Sequence, residues 1–304
     1  MKRVQFEHSP IPYLFVAPQI IIIVIFFLWP AGQAVYQSFL LEDAFGLSSR
    51  FVWFRNYSDT IFTAAWLQAF NFTIIFSMLV TFLSLGLALL LAVKANEVIR
   101  GASTYKTMLM WAYAIAPPVA GLMGNLMFNP LIGDLYGLMN AIGFDFDHKL
   151  QAADASFVVI LISVWKQVSV NFIFFLAGLQ GIPKSVNEAS ILDCKSSFRR
   201  FWTITFPLLA PTTFFLMVIN ITYAFFETFG IIDTTTQGAP GGATTTLVFK
   251  VFQDGFRGAD IGGSSAQSVV LMLLVLGLTV IQFRFIEKKV HYSWSVHASQ
   301  PISS

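Results

Sequence analysis

Charged residues are scarce in this chain of 304 residues: they make up 11% of it, against 56% hydrophobic and 16% aromatic residues. Soluble domains average about a quarter charged residues, and the mean hydropathy of +0.70 points away from them as well. The composition therefore excludes an ordinary soluble domain. The net charge of +2 gives no basic surface of the kind that binds nucleic acid, so no nucleic-acid partner is expected.

Several chemical signatures are also missing. The single cysteine, Cys194, excludes an intrachain disulfide and a zinc site built from cysteines. The chain has no Gly-Lys dipeptide, so a P-loop cannot form, and it has neither an H-E-x-x-H nor a G-x-S-x-G motif. We therefore expect no catalytic residue, metal or cofactor on this chain. The histidines are scattered outside the apolar runs and are expected to be solvated: His8, His148, His291 and His297.

Six apolar stretches are each long enough to cross a bilayer, which takes roughly 20 residues. The predicted spans are Tyr13–Val35, Phe70–Val93, Met108–Phe128, Phe157–Leu179, Phe206–Phe229 and Ala266–Ile286. The fold class is therefore all-α, a polytopic membrane protein with six transmembrane helices. Prolines are expected to break or bend the spans that contain them, notably Pro117, Pro118, Pro207 and Pro211.

The connection between spans five and six contains two local patterns. Its Thr-, Gly- and Pro-rich part, Thr234–Gly242, predicts a flexible turn. Apolar residues then recur at helical spacing and predict a short amphipathic helix on the membrane surface, formed by Leu247, Val248, Val251, Phe252 and Phe256.

Lysine and arginine are concentrated in connections that would share one side of the membrane. These include the N-terminal Lys2 and Arg3 and the loop 180–205, whereas the opposite connections carry fewer, such as Arg55 and Lys149. Cytoplasmic loops carry an excess of these residues. Both termini and the 180–205 loop are therefore predicted to be cytoplasmic.

The 180–205 loop contains an ordered pattern of its own. Ser185-x-x-Glu188 is a capping box that predicts a short helix after Pro183. The helix would present an apolar side suited to a groove, formed by Val186, Ala189, Ile191 and Leu192.

This loop resembles the cytoplasmic docking loop of membrane subunits in binding-protein-dependent ABC importers, whose pattern is Glu-Ala-Ala-x-x-Asp-Gly followed by a stretch ending in Ile-x-x-Pro. The resemblance implies that a separate ATPase grips residues 180–211 and moves the membrane helices through them. The residues that carry it are Glu188, Ala189, Ser190, Ile191, Leu192, Asp193 and Cys194, with Pro207 closing the second part.

Three positions depart from that family pattern. Cys194 occupies the place of a glycine. If the backbone forms a left-handed turn there, a residue with a Cβ is less favourable than glycine by roughly 1 kcal/mol. Ser190 and Lys195 replace alanines. A second short helix is expected to begin near Ser196–Ser197.

Two polar stripes interrupt the apolar spans. Span four carries Lys166, Gln167 and Asn171, and span five carries Asn220, Tyr223 and Glu227 at spacings that share one helix face. Both stripes are candidates for a solute pathway, because ionisable residues at this depth normally line a cavity or pair with one another. The alternatives are a structural Lys166–Glu227 pair, or amides that only join helices.

Further stretches are similar to permeases of glycerol-3-phosphate importers, and with the six-span layout they cover nearly the whole chain: Tyr13–Ala34, Ser163–Phe172, Tyr223–Asp233 and Ser264–Met272. The resemblance implies a single permease domain over 1–304 with its core at about 66–290, in the cell inner (cytoplasmic) membrane. It implies a second, different permease, two ATPase subunits that hold ATP and Mg, and a soluble solute-binding protein.

Other functions stay open at this stage. The same machinery could import another polyol, a glycerophosphodiester or an oligosaccharide. A membrane-embedded enzyme would need converging acid, base or metal residues near one interface, and a secondary transporter would predict inverted repeats. The sequence contains neither signature.

Overall fold

The computed structural model describes residues 11–42, 48–97, 102–194 and 196–286. Parts of the orientation and docking-loop predictions fall outside these residues: they concern Lys2, Arg3, Lys195 and the side chain of Asp193. The chain forms two compact units, whose boundaries fall after Thr63, Lys250 and Met272. The predicted core at 66–290 stays a prediction.

The first unit combines apolar helices with a small hairpin. Its elements are α1 (Ile11–Ile23), a π-helical turn (Val24–Leu28), α2 (Trp29–Gln37), β1 (Leu40–Glu42), β2 (Ser49–Phe51), α3 (Arg55–Thr60), a second π-helical turn (Gln253–Arg257) and the first half of α15 (Ile261–Ile281). The strands pair antiparallel, with Leu40 opposite Phe51. Asn56 holds the chain that leads into the hairpin, since its Nδ2 donates to the carbonyls of Ser38 and Leu40 at 2.9 and 2.7 Å. The hairpin was not predicted from the sequence.

The second unit is a helix bundle. Its elements are α4 (Ala64–Glu97), α5 (Ala102–Ala114), α6 (Pro117–Met127), α7 (Asp134–Ala141), α8 (Ala152–Gln180), α9 (Lys184–Asp193), α10 (Ser197–Arg200), a π-helical turn (Phe201–Thr205), α11 (Phe206–Leu208), α12 (Ala210–Thr222), a π-helical turn (Tyr223–Glu227), α13 (Phe229–Thr235), α14 (Leu247–Phe252), and the end of α15 with its π-helical turn (Gln282–Ile286).

Close packing of small and aromatic side chains holds the bundle together. α4 packs along α8 and against α12. Ala88 and Ala92 on α4 are fully buried in one cluster with Phe172 and Phe175 on α8 and Leu216 on α12. In a membrane, small side chains let helix backbones approach, and dispersion replaces the hydrophobic effect as the driving force. The alanines of α4 therefore place the polar residues of these helices close to one another.

Among the described residues, five helices are long and apolar enough to span a membrane, and a bent helix pair would make a sixth span if it crosses as one unit. Span three, predicted over Met108–Phe128 with a break or bend at its prolines, is bent: Lys106–Ala114 and Pro117–Met127 meet at 103°. The reason is local. Ala116 is extended, with φ −61° and ψ 142°, because a residue before proline avoids the helical region. The expected effect of Pro117 is confirmed.

Two buried threonines hold the connection between spans five and six. The Thr236 and Thr244 hydroxyls lie 2.7 Å apart, and Thr244 Oγ1 donates to the carbonyl of Ala239 at 3.0 Å. Both threonines are buried. The predicted turn is therefore present and held by hydrogen bonds, and its flexibility stays a prediction. The short helix that follows is confirmed as α14.

Candidate functional site

The docking helix, α9 (Lys184–Asp193), leaves apolar side chains uncovered. Ile191 is 57% exposed and Leu192 is 86% exposed, while Glu188 is also exposed. Ser190 is buried instead, and its hydroxyl donates to the carbonyl of Asn187 at 2.6 Å. With Ile191 and Leu192 both uncovered, the described residues leave the apolar face of α9 without a partner.

Two details of the docking helix differ from the sequence prediction. The capping box is not formed, because Ser185 lies inside the helix and no side chain caps its start. Pro183 precedes the first helical residue, Lys184, and its fixed φ sets where the helix begins. Cys194 has φ −129° and ψ 107°, so its backbone is extended, and the predicted cost of a Cβ in a left-handed turn does not arise.

An aromatic group follows the docking helix, and sequence reasoning missed it. The second short helix begins at Ser197, as predicted. Phe198, Trp202 and Phe206 then follow at four-residue spacing, with ring centroids 6.3 Å apart for the first pair and 5.0 Å for the second. Phe198 is 76% exposed. The spacing itself is the signal that would have found this group, because residues four apart share a helix face.

Pro207 joins the docking region to span five. It lies in the short helix α11 (Phe206–Leu208), and the helical path is interrupted at Leu209, with φ −84° and ψ −3°, before α12 begins. The N–H of Leu209 still donates to the carbonyl of Thr205 at 3.1 Å. The predicted break of span five near Pro207 and Pro211 is confirmed.

Asn171 and Asn220 are brought together by the fold. Asn220 Nδ2 donates to Asn171 Oδ1 at 2.8 Å, and Asn171 Nδ2 donates to Asn220 Oδ1 at 3.1 Å. Ser84 on α4 completes this amide network, with its Oγ donating to Asn220 Oδ1 at 2.8 Å. All three residues are fully buried. The network links α4, α8 and α12, and this geometry favours the alternative in which the amides join helices.

The side chain of Lys166 contacts the bend in span three rather than a carboxylate. Its Nζ donates to the carbonyl of Ile115 and lies 3.5 Å from the carbonyl of Ala112. Helix α5 ends there, and the last carbonyls of a helix lack partners of their own and attract cations. Within the described residues no ion pair joins Lys166 to Glu227. The geometry therefore favours a role in holding the bend.

Of the remaining candidates, Gln167 lies on α8, and the other two lie at a π-helical turn in span five. Tyr223 and Glu227 are its first and last residues; π-helical turns occur often at functional sites. Glu227 is exposed on this chain, whereas Tyr223 is 5% exposed and Gln167 is 3% exposed. A carboxylate this open at membrane depth must face water or another protein.

His148 is buried, contrary to the expectation that all four histidines are solvated. It is 2% exposed, stacks on Phe146 with ring centroids 6.4 Å apart, and places Nε2 3.4 Å from Asn125 Oδ1. Burial lowers the pKa of His148, and the charge of Lys149 lowers this pKa further. A cavity of about 310 Å³ lies beside it. In the part of the chain that the structure describes, no cluster of His, Cys, Asp or Glu could hold a metal ion.

Sequence comparison places these features in a known family. Residues 84–292 match the family described as "binding-protein-dependent transport system inner membrane component". The chain is 52% identical over 292 residues to the sn-glycerol-3-phosphate transport system permease protein UgpA of Rhizobium meliloti (strain 1021), an alignment that covers 96% of this chain and 100% of the relative. It is 53% identical to UgpA of Agrobacterium fabrum, with the same coverage. It is 48% identical to UgpA of Yersinia pestis, covering 95% of this chain and 98% of the relative.

Solved structures give the same fold. A bacterial ABC transporter involved in the import of the acidic polysaccharide alginate contains a chain that matches with a TM-score of 0.76 at 21% identity, covering 90% of this chain and 96% of the other. The alginate transporter in complex with an alginate pentasaccharide-bound periplasmic protein matches with a TM-score of 0.77 at 20% identity, covering 92% and 95%. The expected importer-permease fold is confirmed.

Proposed function

Because the chain belongs to the family of binding-protein-dependent transport system inner membrane components, we propose that it is one of two permeases of an ATP-driven importer of sn-glycerol-3-phosphate. As a member of this family it is a multi-pass inner membrane permease. The substrate proposal is supported by identities of about half over nearly the whole chain to relatives named for this transport. The partners are a second, different permease, two ATPase subunits that hold ATP and Mg, and a soluble binding protein.

The observation that carries the coupling part of the proposal is the uncovered face of α9. Ile191 and Leu192 form its apolar part, and Glu188 adds charge beside them. An amphipathic helix of this kind binds by laying its apolar face into a groove of a partner. The ATPase subunit supplies that groove. Motion of α9 then reaches span five through the π-helical turn Phe201–Thr205 and the break at Leu209.

The solute path is proposed to run along the side of span five that carries Glu227. This residue, with Tyr223 and Gln167, stays a pathway candidate, while Lys166, Asn171 and Asn220 position the helices around the path. Glu227 is exposed on this chain, so the second permease or water covers it in the assembled importer. Both termini and α9 face the cytoplasm in this arrangement, with Arg55 on the opposite side.

Uptake by the purified importer tests the proposal. The permease pair and its ATPase are reconstituted in proteoliposomes with ATP enclosed, and radiolabelled sn-glycerol-3-phosphate is supplied outside with the binding protein. We expect uptake that requires both ATP and the binding protein. Uptake without ATP would contradict the coupling, and selective uptake of a glycerophosphodiester or an oligosaccharide would contradict the substrate.

A modification assay tests the orientation. In a Cys194→Ala background, an impermeant thiol reagent should modify Arg55→Cys in intact cells. Modification of that position only after permeabilisation would reverse the orientation.

A further inference from the structure

A group of aromatic rings follows directly after span one, and the proposed transport function does not use it. This hairpin aromatic cluster consists of Phe39, Phe51, Trp53, Phe54 and Tyr57. The ring of Phe39 lies at its centre, with centroids 6.1 Å from Phe51, 5.4 Å from Phe54 and 5.9 Å from Tyr57. Trp53 packs edge-on against Phe51 at 4.9 Å. Three of the rings are open to the surroundings: Phe51 is 47% exposed, Trp53 68% and Phe54 65%.

The backbone presents Trp53 in an unusual conformation. Its φ is 55°, and Phe54 follows with φ −88° and ψ 10°. The N–H of Arg55 donates to the carbonyl of Val52 at 3.2 Å and closes the turn. A positive φ at the first central residue alone is the pattern of a type II′ turn, which favours glycine at that position. A tryptophan is unfavourable there, and residues held in such conformations cluster at functional sites.

Hydrogen bonds fix the hairpin aromatic cluster to the end of span one. The N–H of Val52 donates to the carbonyl of Phe39 at 2.8 Å. The hydroxyl of Tyr57 donates to Ser38 Oγ at 2.8 Å, and Ser38 Oγ donates in turn to the carbonyl of Val35 at 2.6 Å. The rings therefore keep a fixed position relative to the last turn of the span.

The length of span one sets the depth of these rings in a bilayer. The span covers Tyr13–Gln37, which is 25 residues, and its apolar window is 0% buried by the described chain. At 1.5 Å per residue it is roughly 38 Å long, whereas the hydrocarbon core is about 30 Å thick and the bilayer with its headgroups about 40–45 Å. The end of the span therefore lies among the headgroups. Phe39 follows shortly after it, so the hairpin aromatic cluster continues the uncovered surface of a membrane-spanning helix.

We infer that the hairpin aromatic cluster binds the phospholipid headgroup region, with the indole of Trp53 as its main contact, and thereby fixes the depth of span one. Tryptophan suits this region because its ring is apolar while its N–H bonds to water or a headgroup. Arg50 on β2 is exposed and forms no ion pair among the described residues, so its guanidinium is available to a headgroup phosphate. The inference depends on the membrane location of the family and not on the identity of the solute.

Quenching by brominated lipid tests the contact. The full importer is placed in nanodiscs of phosphatidylcholine, either unmodified or brominated near the headgroup end of its acyl chains. The difference in tryptophan fluorescence between the wild type and Trp53→Phe isolates the Trp53 signal, which we expect to be largely lost in the brominated lipid. Trp66 is 5% exposed and gives the matched control, since the signal isolated with Trp66→Phe should be lost much less. A Trp53 signal unchanged by bromination would overturn the inference and assign the cluster to water, the binding protein or the second permease.

A nitroxide label on the hairpin tests whether the indole holds it at the membrane. The label is attached to Ser49→Cys, an exposed position of β2, in a Cys194→Ala background. Trp53→Gly removes the indole and keeps the turn, because glycine tolerates a positive φ, whereas Trp53→Tyr keeps an amphipathic ring. We expect collisions of the label with an impermeant nickel chelate to increase in Trp53→Gly and to stay near the wild-type rate in Trp53→Tyr. Equal collision rates in all three proteins would overturn the anchoring of span one by this cluster.

Discussion

α9 leaves Leu192 86% exposed, whereas Asn171 and Asn220 are fully buried among apolar helices. The docking helix thus exposes apolar side chains that contact no partner among the described residues, whereas the amide network buries polar groups that are each hydrogen-bonded. The first arrangement is unfavourable until a partner arrives, because exposed apolar surface favours association. The amide network is favourable only while all its hydrogen bonds are made, because a buried amide without a hydrogen-bond partner lowers stability.

The difference separates association from stability. A change at α9 should impair binding of the ATPase and leave the bundle intact. A change in the amide network should weaken the bundle and affect transport through it. Membrane helices make this contrast sharper, since small-residue packing and interhelical hydrogen bonds replace hydrophobic burial as their main attraction.

The largest effect is expected from Leu192→Lys. Placing a charge on this exposed apolar face should weaken ATPase association by about 2 kcal/mol or more, roughly thirtyfold. Co-purification with the ATPase and ATP-driven uptake both measure this, and the melting temperature of the permease should not change. Leu131→Lys alters another leucine that is 91% exposed and serves as the matched control. Equal losses in the two variants would remove α9 from coupling.

Asn220→Leu should act on stability instead. The substitution removes both hydrogen bonds between Asn220 and Asn171 and the one from Ser84 Oγ to Asn220 Oδ1, at a cost of about 1–3 kcal/mol. Thermal unfolding of the purified complex measures the loss. Thr213→Val on the same helix, whose hydroxyl bonds only to the carbonyl of Leu209, should lose much less. If Asn171→Leu with Asn220→Leu costs as much as the two single losses added, the amides do not act as a pair.

Lys166 and Glu227 form no ion pair in the structure, where Lys166 Nζ bonds to the carbonyl of Ile115 instead, so only a weak, longer-range attraction between the two charges should couple them. Lys166→Met should lower stability by about 1 kcal/mol through the carbonyls of the span-three bend. Glu227→Gln should lower uptake at an unchanged melting temperature. The double variant should show the sum of these effects, with a coupling below about 0.5 kcal/mol. Recovery of stability and uptake in the double variant would instead establish a structural pair.

The smallest effect is expected at His148. Burial holds the folded-state pKa of this residue below its ordinary value, so the unfolded chain takes up the proton first as the pH falls. The resulting stability is complete above about pH 6.5, the unfolded value, and is lost as the pH decreases below it. The melting temperature of the wild type should fall a few degrees more between pH 7.5 and 5.5 than that of His148→Gln. An identical pH dependence in the two proteins would contradict the burial of a neutral imidazole.

Patterns that extend along one segment were predicted well. Apolar length located the spans, the prolines located the break before Pro117, and residue types located a helix at Lys184–Asp193. Predictions that depended on neighbours were weaker. Cys194 was expected in a left-handed turn, yet its φ of −129° follows from the path between α9 and α10. His148 was expected in solvent and lies against Phe146. The backbone conformation of Cys194 and the burial of His148 both depend on packing with other segments, so the neighbouring sequence does not determine them.

Sequence alone determined that the chain crosses a membrane, which family it belongs to, and where an ATPase is expected to bind, because hydrophobic length and a contiguous motif are local properties. Only the tertiary structure decided the partners of the buried polar residues. It paired Asn171 with Asn220 and turned Lys166 toward the carbonyls of the span-three bend. The physical reason is that a hydrogen bond between helices depends on their relative register and rotation, which packing fixes and no single segment contains.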